Sequence, residues 1–262
     1  MNRIPFSAIT PYPQVNSLID ILYANARSLL SEQLIGFYID GSLSYGAFDS
    51  ASDIDFVCVT KHPITPEQFF RLHQSHVEIS SLPNEMAIQI EGFYLSAEQV
   101  RHHNSPEPLV PNIERGLGEQ LKWVKLEQVW NVHRQYLRQG GITVYGPEPS
   151  TFIDPISAED LRRSMSTWTD WLPSLLADPG QVRSRGYQSY IVLTLARILY
   201  TQTTGKLTSK PVAVEWMRKR YIGEWDGLLE DAWEGRMNPQ APISPGALEK
   251  TMQMVQLVLD SI

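Results

Sequence analysis
The sequence predicts an α+β N-terminal domain followed by an all-α helical-bundle domain. Three observations lead there. Strand-like apolar runs gather before residue 96, helical periodicity dominates after about residue 155, and no internal repeat relates the two parts. The expected boundary gives domains of residues 1–155 and 156–262. A chain of 262 residues is long enough to bury a sizeable core, and 16 glycines with 18 prolines are ordinary shares that exclude collagen-like and low-complexity chains.

Taken in order, residues 15–31 place Leu18, Leu22, Ala26 and Leu29 on one helical stripe. Residues 34–40 form a short apolar run that stops at Gly41 and reads as a buried strand. A second strand is expected over 53–60, with Val57, Cys58 and Val59 in its body. Thr65 before Pro66 and Glu67 marks a helix start, and the helix continues through Phe69, Phe70 and Leu72. Residues 85–95 alternate as a third strand, with Ala87, Gln89, Glu91 and Phe93 on one face and Ile88 and Ile90 on the other. Residues 101–112 read as a Pro-rich loop and 119–139 as a helix stopped by Gly140-Gly141, after which 142–149 give a short strand and turn. Helices are then expected over 158–177, 187–203, 208–220, 226–234 and 246–261.

Composition narrows the function class. With 22 Lys plus Arg against 29 Asp plus Glu, the formal charge is −7. A general nucleic-acid binder usually carries the opposite sign, because phosphate neutralisation supplies most of its affinity, so no nucleic-acid partner is expected. The single cysteine, Cys58, permits no intrachain disulfide and no multi-thiolate zinc site. The N-terminus lacks the apolar core of a signal peptide, and no run approaches a membrane span. A cytoplasmic monomer without a membrane partner is the expectation.

One segment carries chemistry. Gly41-Ser42 follows a strand, ten residues intervene, and Asp53-Ile54-Asp55 opens an apolar strand. Residues two apart leave the same side of a strand, so Asp53 and Asp55 bring two carboxylates together, which repel unless a cation sits between them. Hard oxygen ligands suit Mg²⁺, which commonly joins carboxylates to substrate phosphates. A Gly-Ser turn can set backbone N–H groups and a hydroxyl against a phosphate. The pattern reads as a nucleoside triphosphate site. An isolated Asp-x-Asp is more often a structural turn, and here it is the surrounding arrangement that carries the assignment. His102-His103 reads as loop surface, and His73 and His76 as packing residues.

The Gly-Ser…Asp-x-Asp arrangement resembles the nucleotidyltransferase superfamily, which shares a small mixed-sheet catalytic domain. Further along, Leu193-Thr194-Leu195-Ala196-Arg197, Thr204-Gly205-Lys206 and Ser209-Lys210, with Gly146-Pro147 and Phe152-Ile153-Asp154-Pro155, resemble the aminoglycoside adenylyltransferases that act on streptomycin and spectinomycin. The likeness covers most of residues 34–235, with a poor stretch at 97–128. It implies a Mg²⁺-dependent, antibiotic-resistance type of enzyme that moves AMP from ATP to a hydroxyl of a small, cationic or aminocyclitol-like acceptor. By the same resemblance Gly41 and Ser42 contact the triphosphate, Asp53 and Asp55 hold Mg²⁺, and Arg197 and Lys210 of the helical domain reach ATP across an interdomain cleft.

Two positions depart from the family. Its base is a glutamate that aligns with Gln89, which cannot take a proton. Glu91 shares that strand face and is assigned as third metal ligand and base in a shifted pairing. An acidic residue near the start of the helical domain falls on Tyr187. Another acceptor, a metabolite or a protein, and a nucleotide-binding homologue without catalysis remain alternative readings.

Overall fold
The computed structural model describes residues 9–102, 107–167 and 169–262. The expectation that the N-terminus, residues 1–10, lacks the apolar core of a signal peptide falls mostly on residues 1–8, which lie outside them, as do His103 and Trp168. Two units separate. Met1–Phe48 with Ser52–Pro155 form the first, and Asp49–Ala51 with Ile156–Ile262 the second.

The first unit is built on a six-stranded sheet in the order β5-β4-β3-β2-β1-β6. Its strands are β1 (Leu34–Ile39), β2 (Ile54–Thr60), β3 (Ile90–Ser96), β4 (Leu109–Ile113), β5 (Lys122–Lys125) and β6 (Ile142–Tyr145). Only β2 and β3 pair in parallel, and every other neighbour is antiparallel, so the sheet is mixed. The β2–β3 connection carries α3 (Pro66–Ser80), as a parallel crossover requires. Thr65 and Gln68 close a reciprocal capping box at the start of α3, next to Pro66.

Alternation sorts the strand residues onto two faces. On one face Phe37, Ile39, Ile54, Phe56, Cys58 and Tyr94 form a core with Leu18, Leu22 and Ala26 of α1 (Pro13–Leu30) and Leu72 and Ile79 of α3. Each fully buried large aliphatic side chain there contributes roughly 1.5–3 kcal/mol. On the other face Phe93 meets the Trp130 ring edge-on at 5.5 Å, at the start of α5 (Trp130–Gly140). Arg134 of α5 is fully buried and donates to the carbonyls of Gln99 (2.7 Å) and Val100 (3.2 Å), which end α4 (Ala97–Arg101). Burial lowers its pKa to about 10, so the guanidinium stays charged at neutral pH.

Several of these expectations need correction. The third strand begins at Ile90, because Asn84 accepts from the Met86 N–H and starts a 3-10 turn over Glu85–Ile88. The Pro-rich stretch contains β4. Its ladder with β3 has only two pairs, Gly92↔Ile113 and Phe93↔Asn112, so Pro111 lies beyond it and costs no hydrogen bond there. The helix expected over 119–139 is strand β5 followed by α5, since Leu109–Asn112 pair with Lys122–Lys125. Strands therefore continue well past residue 96.

The second unit is helical. It contains α6 (Ala158–Thr167), α7 (Leu172–Ala177), α8 (Arg185–Thr204), α9 (Lys210–Arg220), α10 (Asp226–Met237) and α11 (Ala247–Leu259). The single helix expected over 158–177 is two, and Pro173 stands in the first turn of the second, where its missing N–H costs nothing. α8 is the central helix and packs on α6, α9, α10 and α11, with Ile191, Val192, Leu193, Leu195, Ile198 and Leu199 buried. Arg185 holds Asp231 at 2.7 Å and Glu234 at 3.2 Å, and Ser244 also donates to Asp231. Among the described residues no helix is long and apolar enough to cross a membrane.

Candidate active site
The site grows from the ends of β1, β2 and β3. β1 runs out at Ile39, and the Asp40 N–H still donates to the Asp55 carbonyl at 3.0 Å. The chain then turns into α2, the four-residue helix Gly41–Ser44. Gly41 has φ +62°, and a Cβ there would collide with the Asp55 carboxylate. Both facts demand glycine and press the turn against the acidic strand. The Ser42 hydroxyl oxygen is buried without a hydrogen-bond partner among the described residues. A buried hydroxyl in that condition is costly unless a ligand completes it.

Asp53 and Asp55 flank Ile54, which is fully buried on the core side, so the two carboxylates leave the opposite side together. The parallel register pairs Ile54 with Ile90 and Asp55 with Glu91. Ligand oxygens of Asp53, Asp55 and Glu91 all lie within 4.8 Å of one another, and each residue is half-buried. Three carboxylates that close repel unless a cation sits among them, and all-oxygen donors of this kind suit Mg²⁺. The residues present therefore fit the ion. Gln89 lies outside β3. It ends the 3-10 turn, and its carbonyl accepts from the Ile54 N–H at 2.8 Å.

Around this cluster stand residues that sequence reasoning missed. Arg115, on the loop between β4 and β5, brings Nη1 to 3.4 Å from Asp53 Oδ2. Asp40 is buried, and His133 Nδ1 of α5 lies 3.9 Å from its Oδ2. The Tyr45 hydroxyl donates to the Tyr136 carbonyl at 3.4 Å, a further link between the end of the turn and α5. A run of Gly-Ser and Asp-x-Asp offers no signal for such partners, which come from 60 or more residues away.

Residues 151–260 match the family model described as aminoglycoside adenylyltransferase, C-terminal domain. Spectinomycin 9-adenylyltransferase of Staphylococcus aureus is 26% identical over 234 residues, covering 80% of this chain and 84% of the relative. The Campylobacter jejuni protein of the same name is 24% identical over 247 residues, covering 86% of each. The chain is aminoglycoside adenylyltransferase-like. In fold, it is similar to a spectinomycin adenyltransferase from Enterococcus faecialis solved with ATP and spectinomycin, with a TM-score of 0.69, 19% identity and coverage of 94% and 98%.

Within this adenylyltransferase-like chain, Gly41, Ser42, Asp53, Asp55 and Glu91 converge in the first unit. Arg197, in α8, and Lys210, the first residue of α9, are half-buried residues of the second unit. Tyr187 lies in the first turn of α8 and stacks on Tyr190 at 6.3 Å. His76 is buried and hydrogen-bonds Tyr94 at 2.9 Å, His73 stacks on Phe69, and His102 lies 3.7 Å from Asp154.

Proposed function
We propose that the protein is a Mg²⁺-dependent adenylyltransferase that moves AMP from ATP to a hydroxyl of an aminoglycoside- or aminocyclitol-like small molecule and releases pyrophosphate. The observation that carries this reading is the three-carboxylate cluster on paired strands, set directly against a Gly-Ser turn whose hydroxyl is buried without a partner among the described residues. The 26% and 24% identical relatives named above favour the acceptor class.

In this reading Asp53, Asp55 and Glu91 hold Mg²⁺. When bound, the ion supplies neutralisation of phosphate charge and orients the phosphate chain. Gly41 lets the backbone come close to the phosphates, and the Ser42 hydroxyl donates to a phosphate oxygen. Glu91 takes the proton of the acceptor hydroxyl while that oxygen attacks the α-phosphorus in line. The new bond joins AMP to the acceptor, and the bond to pyrophosphate breaks. Arg197 and Lys210 are assigned to the anionic nucleotide on the strength of the family resemblance. Most of the rate gain comes from positioning and electrostatics.

The test is ATP-dependent pyrophosphate release with Mg²⁺ against spectinomycin, streptomycin, other aminocyclitols and cell metabolites. Release above the no-acceptor background, with an adenylylated aminocyclitol or aminoglycoside product by mass spectrometry, is expected. ATP binding without release for any of them would favour the nucleotide-binding homologue. Release with a metabolite alone would replace the acceptor class.

A further inference from the structure
Arg115 has no place in the mechanism above, yet its guanidinium stands 3.4 Å from a carboxylate of the cluster. The loop that carries it, between Ile113 and Lys122, sorts its charges. Glu114 and Glu119 are both engaged by Lys122, at 2.9 and 3.8 Å. The hydrogen bond and charge of Glu114 raise the Lys122 pKa, so that ammonium stays charged. The loop's acidic groups are thereby held by Lys122, and its arginine faces Asp53. The Gly116 N–H donates to the Ile88 carbonyl at 2.8 Å, which fixes the residue after Arg115 beside the start of β3. Gly116 itself has φ +138°, a conformation that side-chain-bearing residues rarely adopt.

An exposed ion pair ordinarily contributes little. This one differs because Asp53 belongs to three carboxylates within 4.8 Å of one another, where any nearby cation lowers a shared repulsion. A divalent ion and a guanidinium both seek the Asp53 oxygen, and a planar guanidinium also suits phosphate.

We propose that Arg115 is a tethered counter-cation: it holds Asp53 in the free protein, yields it to the divalent ion, and then pairs with the nucleotide phosphates. The inference rests on the metal-site reading above. Its consequence is positive coupling. The metal binds the free protein weakly and binds much better together with nucleotide, because the displaced guanidinium gains a new anionic partner.

The experiment is a Mn²⁺ titration followed by electron paramagnetic resonance, with and without an ATP analogue carrying a non-hydrolysable α,β-bridge. It compares the wild type, Arg115→Gln, Arg115→Lys and Asp53→Asn, with thermal melts as a folding control. Arg115→Gln should bind Mn²⁺ alone more tightly, and the coupling between Mn²⁺ and nucleotide should fall at least about fivefold. Arg115→Lys, which keeps the charge, should fall between it and the wild type. Unchanged Mn²⁺ affinity and coupling in Arg115→Gln, with Asp53→Asn impaired, would overturn the role of Arg115 alone. Equal Mn²⁺ binding by wild type and Asp53→Asn would overturn the metal-site reading beneath it.

Discussion

The two faces of the β2–β3 ladder solve the problem of polar groups in opposite ways. On the face covered by α1 and α3, Tyr94 pairs with Cys58 in register and its hydroxyl meets His76 Nε2 at 2.9 Å, with Phe56 stacked against the imidazole. Burial lowers the His76 pKa to about 4 and pushes the Tyr94 hydroxyl well above its ordinary value. Both groups are neutral and satisfy each other, so this pair holds the fold. On the other face Asp55 pairs with Glu91 in the same register, and Asp53 joins them. There no two members can satisfy one another, because carboxylates only accept hydrogen bonds. One ladder thus places a self-contained neutral pair on one side and a group that calls for an external cation on the other.

The largest expected effect breaks the open side. Asp53→Asn and Asp55→Asn should each drop Mg²⁺-dependent AMP transfer to the no-enzyme background while the protein remains folded. Asp55→Asn should also stabilise the metal-free protein, on the order of 0.5–2 kcal/mol, because it removes one of three crowded like charges. Denaturant melts in chelator test this. A clear loss of stability would mean that the cluster is structural, like the other face.

A smaller effect sharpens the closed side. His76 has a lowered folded pKa, so between pH 6.5 and about 4 the unfolded chain binds a proton that the folded chain refuses. Its contribution to stability is full above pH 6.5 and is lost as pH falls through that window, by about 3 kcal/mol. The difference in pH dependence between wild type and the double variant His76→Leu/Tyr94→Phe isolates it. Parallel curves would contradict the burial argument.

The helices were legible wherever an amphipathic stripe or a cap stood alone, as in α1 and at Thr65-Pro66 before α3. The convergence of two carboxylates was legible because Asp53 and Asp55 stand two residues apart at the start of one strand. β4 and β5 were not. Strands of five and four residues carry too little alternation to read, one of them contains Pro111, and both are held by pairing with distant chain. The apolar residues Leu121, Val124 and Leu126 therefore read as part of the helix expected over 119–139. Arg115 was missed for the same reason, since only the β4–β5 turn brings it to Asp53. The place of Glu91 beside Asp55 depended on register alone. A shift of one pair would have turned Glu91 to the other face, and the hydrogen bond from Ile54 to the Gln89 carbonyl anchors the pairing.

The central claim is that Glu91, paired with Asp55, takes the acceptor's proton. Single-turnover AMP transfer by Glu91→Gln and Gln89→Glu, with ATP affinity measured in parallel, tests it most directly. The account predicts that Glu91→Gln slows the chemical step by roughly 10²–10⁴ while ATP affinity changes little, and that Gln89→Glu has a lesser effect. Wild-type rates in Glu91→Gln, together with a gain of activity in Gln89→Glu, would contradict it.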